Sequence, residues 1–185
     1  MQKLASLCYK KLSMSKKNSI VLKHKNCFSK SEKILNIYSD FKKKILNLKT
    51  NKILVSVSGG PDSLALASMC KALHSDCKKK TFHYVHINHA IRKNSFEESK
   101  FVKKILKKQD IYLKVINNKK EITNNIQHNA RKIRYSLLNN ECKKKKISLI
   151  LTGHHKDDQI ETFLIRLSRG SGVQGLSAMS TTSIF

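Results

Sequence analysis

The stretch ILVSVSGGPDS, residues 53–63, decides the fold because it joins a buried strand to a helix through two glycines. Residues 53–57 are apolar apart from one serine, as in a parallel strand that is covered on both faces. Gly59 and Gly60 permit a sharp turn, and Pro61 suits the first helical position, where its missing N–H would have no helical partner. The helix that follows therefore directs its first N–H groups and its positive dipole end toward the turn.

This turn predicts a binding site for an anion. No Lys-Ser/Thr pair follows the glycines, so the loop differs from the Walker A motif. Asp62 places a carboxylate beside the expected phosphate, and the two would repel each other unless a cation lay between them. A nucleotide with Mg²⁺ is therefore the expected ligand, although an ordinary strand-to-helix turn stays open on these residues alone. The expected ligand-binding residues are Ser58, Gly59, Gly60, Pro61, Asp62 and Ser63.

The composition indicates a basic chain with a polyanionic partner. Among 185 residues, 38 Lys and Arg stand against 12 Asp and Glu, which gives a formal net charge of +26. Such a field attracts polyanions and speeds their association, so nucleic acid is the expected partner. Lys, Asn and Ile are all abundant, and a coding bias toward A and T would account for part of the basic excess.

Cysteine usage and hydropathy predict a cytoplasmic protein that does not enter a membrane. The five cysteines form no C-x-x-C pair, and an odd number in a chain of this size is typical of a reduced compartment. No apolar run approaches the ~20 residues that cross a bilayer. Residues 1–30 contain no acid and are expected to be a disordered basic extension. An organellar location is the alternative, if that extension is a transit peptide or the gene lies in an organelle.

Periodic apolar residues predict alternating strands and helices. A 3.6-residue period over 31–48 predicts an amphipathic helix before the first strand. Four strands then alternate with helices, which is typical of a doubly wound, mostly parallel α/β sheet with right-handed crossovers and helices on both faces. Ser95 and Glu98 predict a capping box. The predicted strands are 53–57, 82–87, 111–116 and 147–152, and the predicted helices are 62–77, 95–108, 122–142 and a further helix after 157.

A second polar cluster, GHHKDDQIET at 153–162, follows the fourth predicted strand. Asp158, Glu161 and Thr162 have helical spacing and share one face of the helix that begins there. In a one-sheet α/β fold this turn and SGGPDS lie at the same carboxyl edge, where such sheets bind ligands. Capping of the helix would explain one aspartate, but it leaves the histidine pair and Glu161 without a reason.

Polar residues also follow the second predicted strand. His86, Asn88, His89 and Arg92 are expected at the carboxyl edge of the sheet, beside the loop. A metal shared by the histidines is not expected, because His83 and His86 point to opposite faces of a strand.

Four segments, taken together and in order, resemble the catalytic domain of the tRNA(Ile)-lysidine synthetases. SGGPDS is similar to the pyrophosphate loop of the wider group of PP-loop ATP pyrophosphatases. The other three segments are HINHAIRKNSFEES at 86–99, NIQHNARKIRYSLL at 125–138 and GHHKDDQIETFLIRLSRGSGVQGLSAM at 153–179. The resemblance implies a Rossmann-like PP-loop ATPase fold, with the catalytic domain over 31–178 and a short tail over 179–185.

The resemblance also implies an activity. Members of that family use ATP and Mg²⁺ to adenylate C2 of the wobble cytidine in a tRNA(Ile) with a CAU anticodon, and release diphosphate. The ε-amine of free L-lysine then displaces AMP and forms lysidine. The implied partners are therefore that tRNA and L-lysine, without a membrane, and a homodimer is left open.

The family's roles carry over to residues of this chain. Asp62 and Asp158 are candidates for holding Mg²⁺. Asp157, Glu161 or His154 would hold the lysine ammonium or take its proton, and the three are not ranked. The full catalytic set is Asp62, His154, Asp157, Asp158 and Glu161, and the residues expected to meet tRNA phosphates are Arg131, Arg134 and Arg169.

The chain departs from the family pattern at three points. Asn88 stands where the family usually has an acid, and Ala90 where it usually has glycine. The family continues well past a motif like GLSAM, so we expect a fragment, a frameshifted product or a degenerate copy. Two alternatives follow: a PP-loop cytidine thiolase, which normally needs a cysteine pair for an iron–sulfur cluster, and a non-catalytic remnant that binds nucleotide or RNA.

Overall fold

The described part of the chain contains alternating helices and strands, as the sequence predicts. A computed structural model describes residues 31–92, 94–119 and 124–153, together with residues 160, 164, 168 and 170. The elements are α1 (Glu32–Leu46), β1 (Lys52–Ser56), α2 (Pro61–Asp76), β2 (Thr81–Asn88), α3 (Ser95–Lys107), β3 (Leu113–Asn117), α4 (Ile126–Lys145) and β4 (Leu149–Thr152).

The chain divides after Gly153 into two compact units. The first contains every strand named above. In the second, residues 160, 164 and 168 are helical, which agrees with the helix predicted after 157. Along the described residues, the structure holds no helix with the length and apolar character that a membrane crossing needs.

The four strands form one parallel sheet in the order β3-β2-β1-β4. The chain builds the sheet outward from β1 through β2 to β3, and then returns to place β4 on the other side of β1. The order therefore reverses between β1 and β4. In open α/β sheets, the crevice at the carboxyl ends of two such strands is the usual place for a ligand. The predicted parallel α/β fold is confirmed.

Helices cover both faces of the sheet, which explains why β1 is apolar along its length. Val55 and Tyr84 face α2 and α3, whereas Leu54 and Val85 face α4. Neighbouring residues of a strand point to opposite faces, so a strand covered on both sides must be apolar at every position. A third cluster joins α1 to α2 through Tyr38, Ile45, Ile53, Ala72 and Leu73.

The predicted capping box at the start of α3 does not form, and the N-cap lies one residue earlier than predicted. Asn94 is the N-cap, and its carbonyl accepts the Glu98 N–H at 2.9 Å. Ser95 is already helical, and its buried Oγ has no partner among the described residues. The side chain of Asn94 makes no capping hydrogen bond either. The helix therefore begins without the reciprocal side-chain bonds that define a capping box.

Lys80 is buried, although the run Lys78–Lys80 resembles a solvated loop. Its side chain is 3% exposed, and its ammonium donates to the carbonyls of Leu48 at 2.6 Å and Thr50 at 2.8 Å. Those carbonyls lie between α1 and β1, so Lys80 fastens that connection to the start of β2. A buried ammonium is tolerated only when such acceptors surround it.

We expect Lys80→Met to lower the free energy of unfolding by about 2–3 kcal/mol, because it removes two hydrogen bonds from a charged donor. Urea denaturation followed by circular dichroism measures the loss. Lys79→Met is the matched control, since Lys79 is exposed in the same loop. Equal stability of the two variants would show that the two carbonyl bonds contribute nothing.

Candidate active site

The hydroxyl of Ser63 organises the loop between β1 and α2. Ser63 is 3% exposed, and its Oγ accepts the N–H groups of Ser58 and Gly59, each at 3.2 Å. The Ser58 hydroxyl lies 3.1 Å from the same oxygen, and Ser63 Oγ donates to the Gly60 carbonyl at 2.9 Å. One side chain from the first turn of the helix thus holds Ser58, Gly59 and Gly60 in a closed curve. The sequence predicted a glycine turn here, but it gave no indication that Ser63 would hold it.

The two loop glycines have different structural roles. Gly59 has φ +97°, and a Cβ on it would lie 2.8 Å from Val102 Cγ2 in α3. Gly60 has φ −72° and is the N-cap of α2, and the nearest atom to a Cβ there is Ser58 Oγ at 3.7 Å. A side chain is therefore excluded at Gly59 by both conformation and space, whereas the bare chain would admit one at Gly60.

Gly153, the first residue of the second motif, packs against the first turn of α2. It directly follows β4, and a Cβ on it would lie 2.8 Å from both Cα and N of Ser63 and 3.0 Å from the carbonyl carbon of Asp62. Only a hydrogen fits between the end of β4 and the first turn of α2. The first residue of GHHKDDQIET thus lies against the helix turn that carries SGGPDS, at the point where the strand order reverses.

The remaining predicted residues of that motif lie outside the described part of the chain. These are His154, Asp157, Asp158, Glu161 and, further on, Arg169. Asp62 lies in the first turn of α2, half-buried and beside the loop, where a carboxylate suits a cation bound to a diphosphate. Among the described residues, no group of three potential metal-ligating side chains comes together. The Mg²⁺ pair of Asp62 and Asp158 therefore stays a prediction.

His86 fastens the end of β1 to its neighbours. Its Nδ1 donates to the Val57 carbonyl at 2.7 Å, and its Nε2 lies 3.1 Å from Ser99 Oγ in α3. A carbonyl can only accept, so the imidazole proton lies on Nδ1. Ser99 Oγ donates its own proton to the Ser95 carbonyl at 2.8 Å, so its contact with Nε2 is the weaker of the two. Burial, as the largest cause, lowers the pKa of His86. A neutral imidazole thus fixes Val57, the residue from which the loop departs.

Asn88 closes a tight turn after β2. It is 2% exposed, and its Oδ1 accepts the Ala90 N–H at 3.0 Å. Ala90 has φ +55°, a left-handed conformation that glycine adopts more easily. A carboxylate would accept the same N–H, so the amide keeps the turn where the family usually has an acid. An amide and a carboxylate differ at the second polar atom of the side chain. In Asn88 this atom is the buried Nδ2, a donor that has no partner among the described residues.

His89 and Arg134 lie together next to this turn. Arg134 Nε donates to His89 Nε2 across 3.4 Å, which leaves the imidazole proton on Nδ1. That Nδ1 is buried without a partner in the described part of the chain. Burial is the largest cause that lowers the pKa of both side chains, and the charge of Arg134 lowers that of His89 further. The turn therefore offers hydrogen-bond donors, which suit an acceptor oxygen or an anion.

The structure separates the two arginines of α4. Arg134 is half-buried beside His89, whereas Arg131 is exposed and lies over the Tyr135 ring, 5.1 Å from its centroid.

His83 and His86 lie on opposite faces of the sheet, as predicted. His83 experiences the charges of Lys145 and Glu141 on α4, and His86 contacts α3 on the other face.

We expect Gly59→Ala to lower the free energy of unfolding by about 2 kcal/mol or more, because alanine is strained at this φ and collides with Val102. Gly153→Ala should be at least as harmful, because it meets backbone atoms. Gly60→Ala is the control, with a loss of about 1 kcal/mol or less from the N-cap change. Thermal unfolding without ligand measures all three, and a Gly59→Ala protein as stable as Gly60→Ala would contradict the packing argument.

Stability should fall as the pH drops through the ordinary histidine pKa of 6.5. Because the folded pKa of His86 lies lower, the unfolded chain binds the proton more readily in the window between the two values. The contribution of neutral His86 to the free energy of unfolding is therefore complete above pH 6.5, and it is lost as the pH falls below that value. His86→Asn should flatten the dependence in urea titrations over this window, whereas the exposed His128→Asn should not. If His86→Asn left the pH dependence of stability unchanged, that dependence would arise from other titrating groups.

Several known proteins are similar to this chain in sequence. The PP-loop domain family matches over residues 30–185. The tRNA(Ile)-lysidine synthase of Wolbachia pipientis wMel is 42% identical over 135 residues, which are 72% of this chain and 31% of that protein. The protein of the same name from Orientia tsutsugamushi (strain Boryong) is 43% identical over 130 residues, 69% of this chain and 29% of the relative. The chain thus spans less than a third of the length of these two curated relatives.

A solved structure extends the comparison to the fold. The U34-tRNA thiolase NcsA from Methanococcus maripaludis with its 4Fe-4S cluster matches with a TM-score of 0.59 at 19% identity, over 75% of this chain and 52% of that one. At this identity the likeness concerns the fold alone. The glycine loop lies where the order of a parallel sheet reverses, and the family match covers most of the sequence: the chain belongs to the PP-loop domain family.

Proposed function

We propose that the chain is the catalytic domain of a tRNA(Ile)-lysidine synthase. In this reaction O2 of the wobble cytidine attacks the α-phosphorus of ATP, diphosphate leaves, and the adenylated tRNA forms. The ε-amine of L-lysine then attacks C2, AMP leaves and lysidine results. The observation that carries the proposal is the contact of Gly153, the first residue of the second motif, with Ser63 of the first motif at the carboxyl edge of the sheet.

The loop and α2 are suited to hold the diphosphate part of ATP. The first turn of an α-helix directs unpaired N–H groups and positive partial charge outward, which favours a phosphate there. Ser63 keeps the loop curved around this point. Asp62, with Asp158 as its predicted partner, would hold Mg²⁺, and the ion would neutralise charge on the leaving diphosphate.

Donors at the end of β2 are suited to an acceptor on a substrate. The Nδ2 group of Asn88 and the Nδ1–H of His89 are buried donors with no partner among the described residues, next to the cationic Arg134. Such groups stabilise a carbonyl or phosphate oxygen and would not hold an ammonium. The lysine amine is therefore assigned to the acids of the second motif, Asp157 or Glu161, or to His154.

The three candidate arginines are suited to different groups of the RNA. Arg131 is exposed and suits a phosphate of the tRNA backbone, as does Arg169 by its place in the sequence. Arg134 is half-buried and is better suited to the reacting groups than to the backbone. We place the reaction in the cytoplasm, or in an organelle if residues 1–30 are a transit peptide, and keep the homodimer as an untested prediction.

Thiolation of a tRNA cytidine is the second candidate, because the fold of this chain also occurs in a tRNA thiolase, the enzyme that acts on U34. The placement of the cysteines within the described residues argues against it. Cys70 and Cys142 are buried in the core on opposite faces of the sheet, and burial is the largest cause that raises the pKa of each thiol. A cluster needs accessible thiolates close together. Non-catalytic binding of nucleotide or RNA is the third candidate.

The test incubates the full chain with ATP, Mg²⁺, labelled lysine and a tRNA(Ile) transcript bearing CAU. We expect label in this tRNA and none in the same transcript with a GAU anticodon, which lacks the wobble cytidine. Asp62→Asn should lower the rate by roughly a hundredfold, since it weakens the stabilisation of the leaving group. Asp40→Asn, an exposed aspartate on α1, should leave it unchanged.

Each other result selects an alternative. ATP binding and diphosphate release without label in the tRNA would separate adenylation from lysine transfer. ATP binding alone would support the non-catalytic candidate. Sulfur incorporation from a sulfide donor, with no lysine label, would support thiolation and overturn the proposal.

A further inference from the structure

We propose that a notch at the amino edge of the sheet binds a nucleotide of single-stranded RNA, with its base against Tyr112 and its phosphate near Lys145. The edge notch is lined chiefly by residues 81–85 of β2, with Lys71, Tyr112, Lys114, Glu141 and Lys145 around it. This surface lies at the opposite end of the strands from the loop between β1 and α2. None of the residues that line this surface has a role in the proposed reaction.

Unequal strand pairing creates the edge notch. β2 pairs with β1 from Thr81 onward, but it pairs with β3 only from Tyr84, opposite Leu113. The first three residues of β2 therefore extend beyond the paired part of β3. The resulting cavity has a volume of about 420 Å³, within the ~300–1,000 Å³ that small-ligand sites in proteins occupy.

Tyr112 supplies an aromatic surface at this cavity. It is 84% exposed, more than any other large hydrophobic residue in the described part of the chain. The residue lies directly before β3, so its backbone is anchored although its ring is in solvent. Exposed aromatic rings beside lysines are the usual platform on which proteins stack single-stranded bases.

The charge around the edge notch favours a phosphate. Glu141 is 5% exposed and is neutralised by Lys114, whose ammonium lies 2.8 and 2.7 Å from the two carboxylate oxygens. Lys71 donates to the Asp110 carbonyl oxygen at 2.9 Å, which leaves the Asp110 carboxylate as the opposing charge. Lys145 forms no ion pair within the described residues, and the lysines that follow α2 and end α4 add to the field.

His83 reports this positive potential. Burial lowers its pKa most, and the charges of Lys145 and Lys52 lower it further, with Glu141 offsetting them only in part. A phosphate placed there would meet the charge of Lys145, which has no ion-pair partner among the described residues. A nucleotide joins an aromatic base and a phosphate in one ligand, so it matches both features at once.

The edge notch and the candidate active site cannot share one nucleotide. Thr81 lines the notch and Asn88 ends the same strand near the loop, seven residues or roughly 23 Å away. The two sites would therefore bind different parts of an RNA, or different molecules. A free nucleotide in the notch and an RNA strand across it are the two sources that an experiment must separate.

Binding is measured by the fluorescence anisotropy of a short labelled oligouridine, titrated with the full chain at two salt concentrations. Tyr112→Ala should weaken binding about tenfold, and Tyr112→Phe, which keeps the ring, should change it less than about twofold. Phe101→Ala on α3 is the control, since Phe101 is 54% exposed but lies elsewhere. Lys145→Gln should weaken binding and reduce the salt slope by about one.

A crosslinking experiment localises the contact independently of affinity. An oligoribonucleotide carrying 4-thiouridine, irradiated with the chain and digested, should give a crosslinked peptide that contains Tyr112. Unlabelled UMP should displace the RNA much less effectively than unlabelled oligouridine at the same nucleotide concentration. Crosslinks confined to other peptides, equal affinity of Tyr112→Ala and wild type, or equally effective displacement by UMP and oligouridine would each overturn the proposal. Asp40→Asn, on α1 and in neither site, should leave every one of these readouts unchanged. None of them measures lysine transfer, so failure here is distinguishable from failure of the lysidine proposal.

Discussion

The close contact between Gly153 and Ser63 is the constraint on which the site depends. With 2.8 Å from a would-be Cβ to the backbone of Ser63, the end of β4 lies directly against the first turn of α2. The Ser63 side chain then holds the loop on the other side of that turn. Strand, helix and loop thus meet at one residue, and the position of the loop relative to the sheet is set by packing that admits no side chain.

Much of this arrangement could be predicted from the sequence, for identifiable reasons. β1 is apolar on both faces because helices cover both sides, and the alternation of strands and helices allows few topologies. What sequence reasoning missed are contacts between distant segments. Lys80 is buried because two carbonyls near α1 receive it, and a run of lysines carries no sign of such partners. The residues of the second motif beyond Gly153 stay predictions.

The site's polar groups serve two purposes that sequence patterns do not separate. His86 has the residue type of a catalytic base, yet both its nitrogens are engaged in holding Val57 and α3 in place. His89 and Asn88 have buried donors that lack a partner among the described residues, and these are the groups that we propose for a substrate. Arg131 and Arg134, three residues apart on one helix, differ in burial, and this difference is the reason for proposing different RNA contacts for them.

The turn closed by Asn88 has an evolutionary consequence. Codons for asparagine and aspartate differ by a single base, and either side chain accepts the Ala90 N–H with the same oxygen. A lineage can therefore exchange donor for negative charge at this buried position in one mutational step, without first losing the backbone conformation. The hydrogen bond that sets this turn is therefore independent of the charge that the side chain at this position carries.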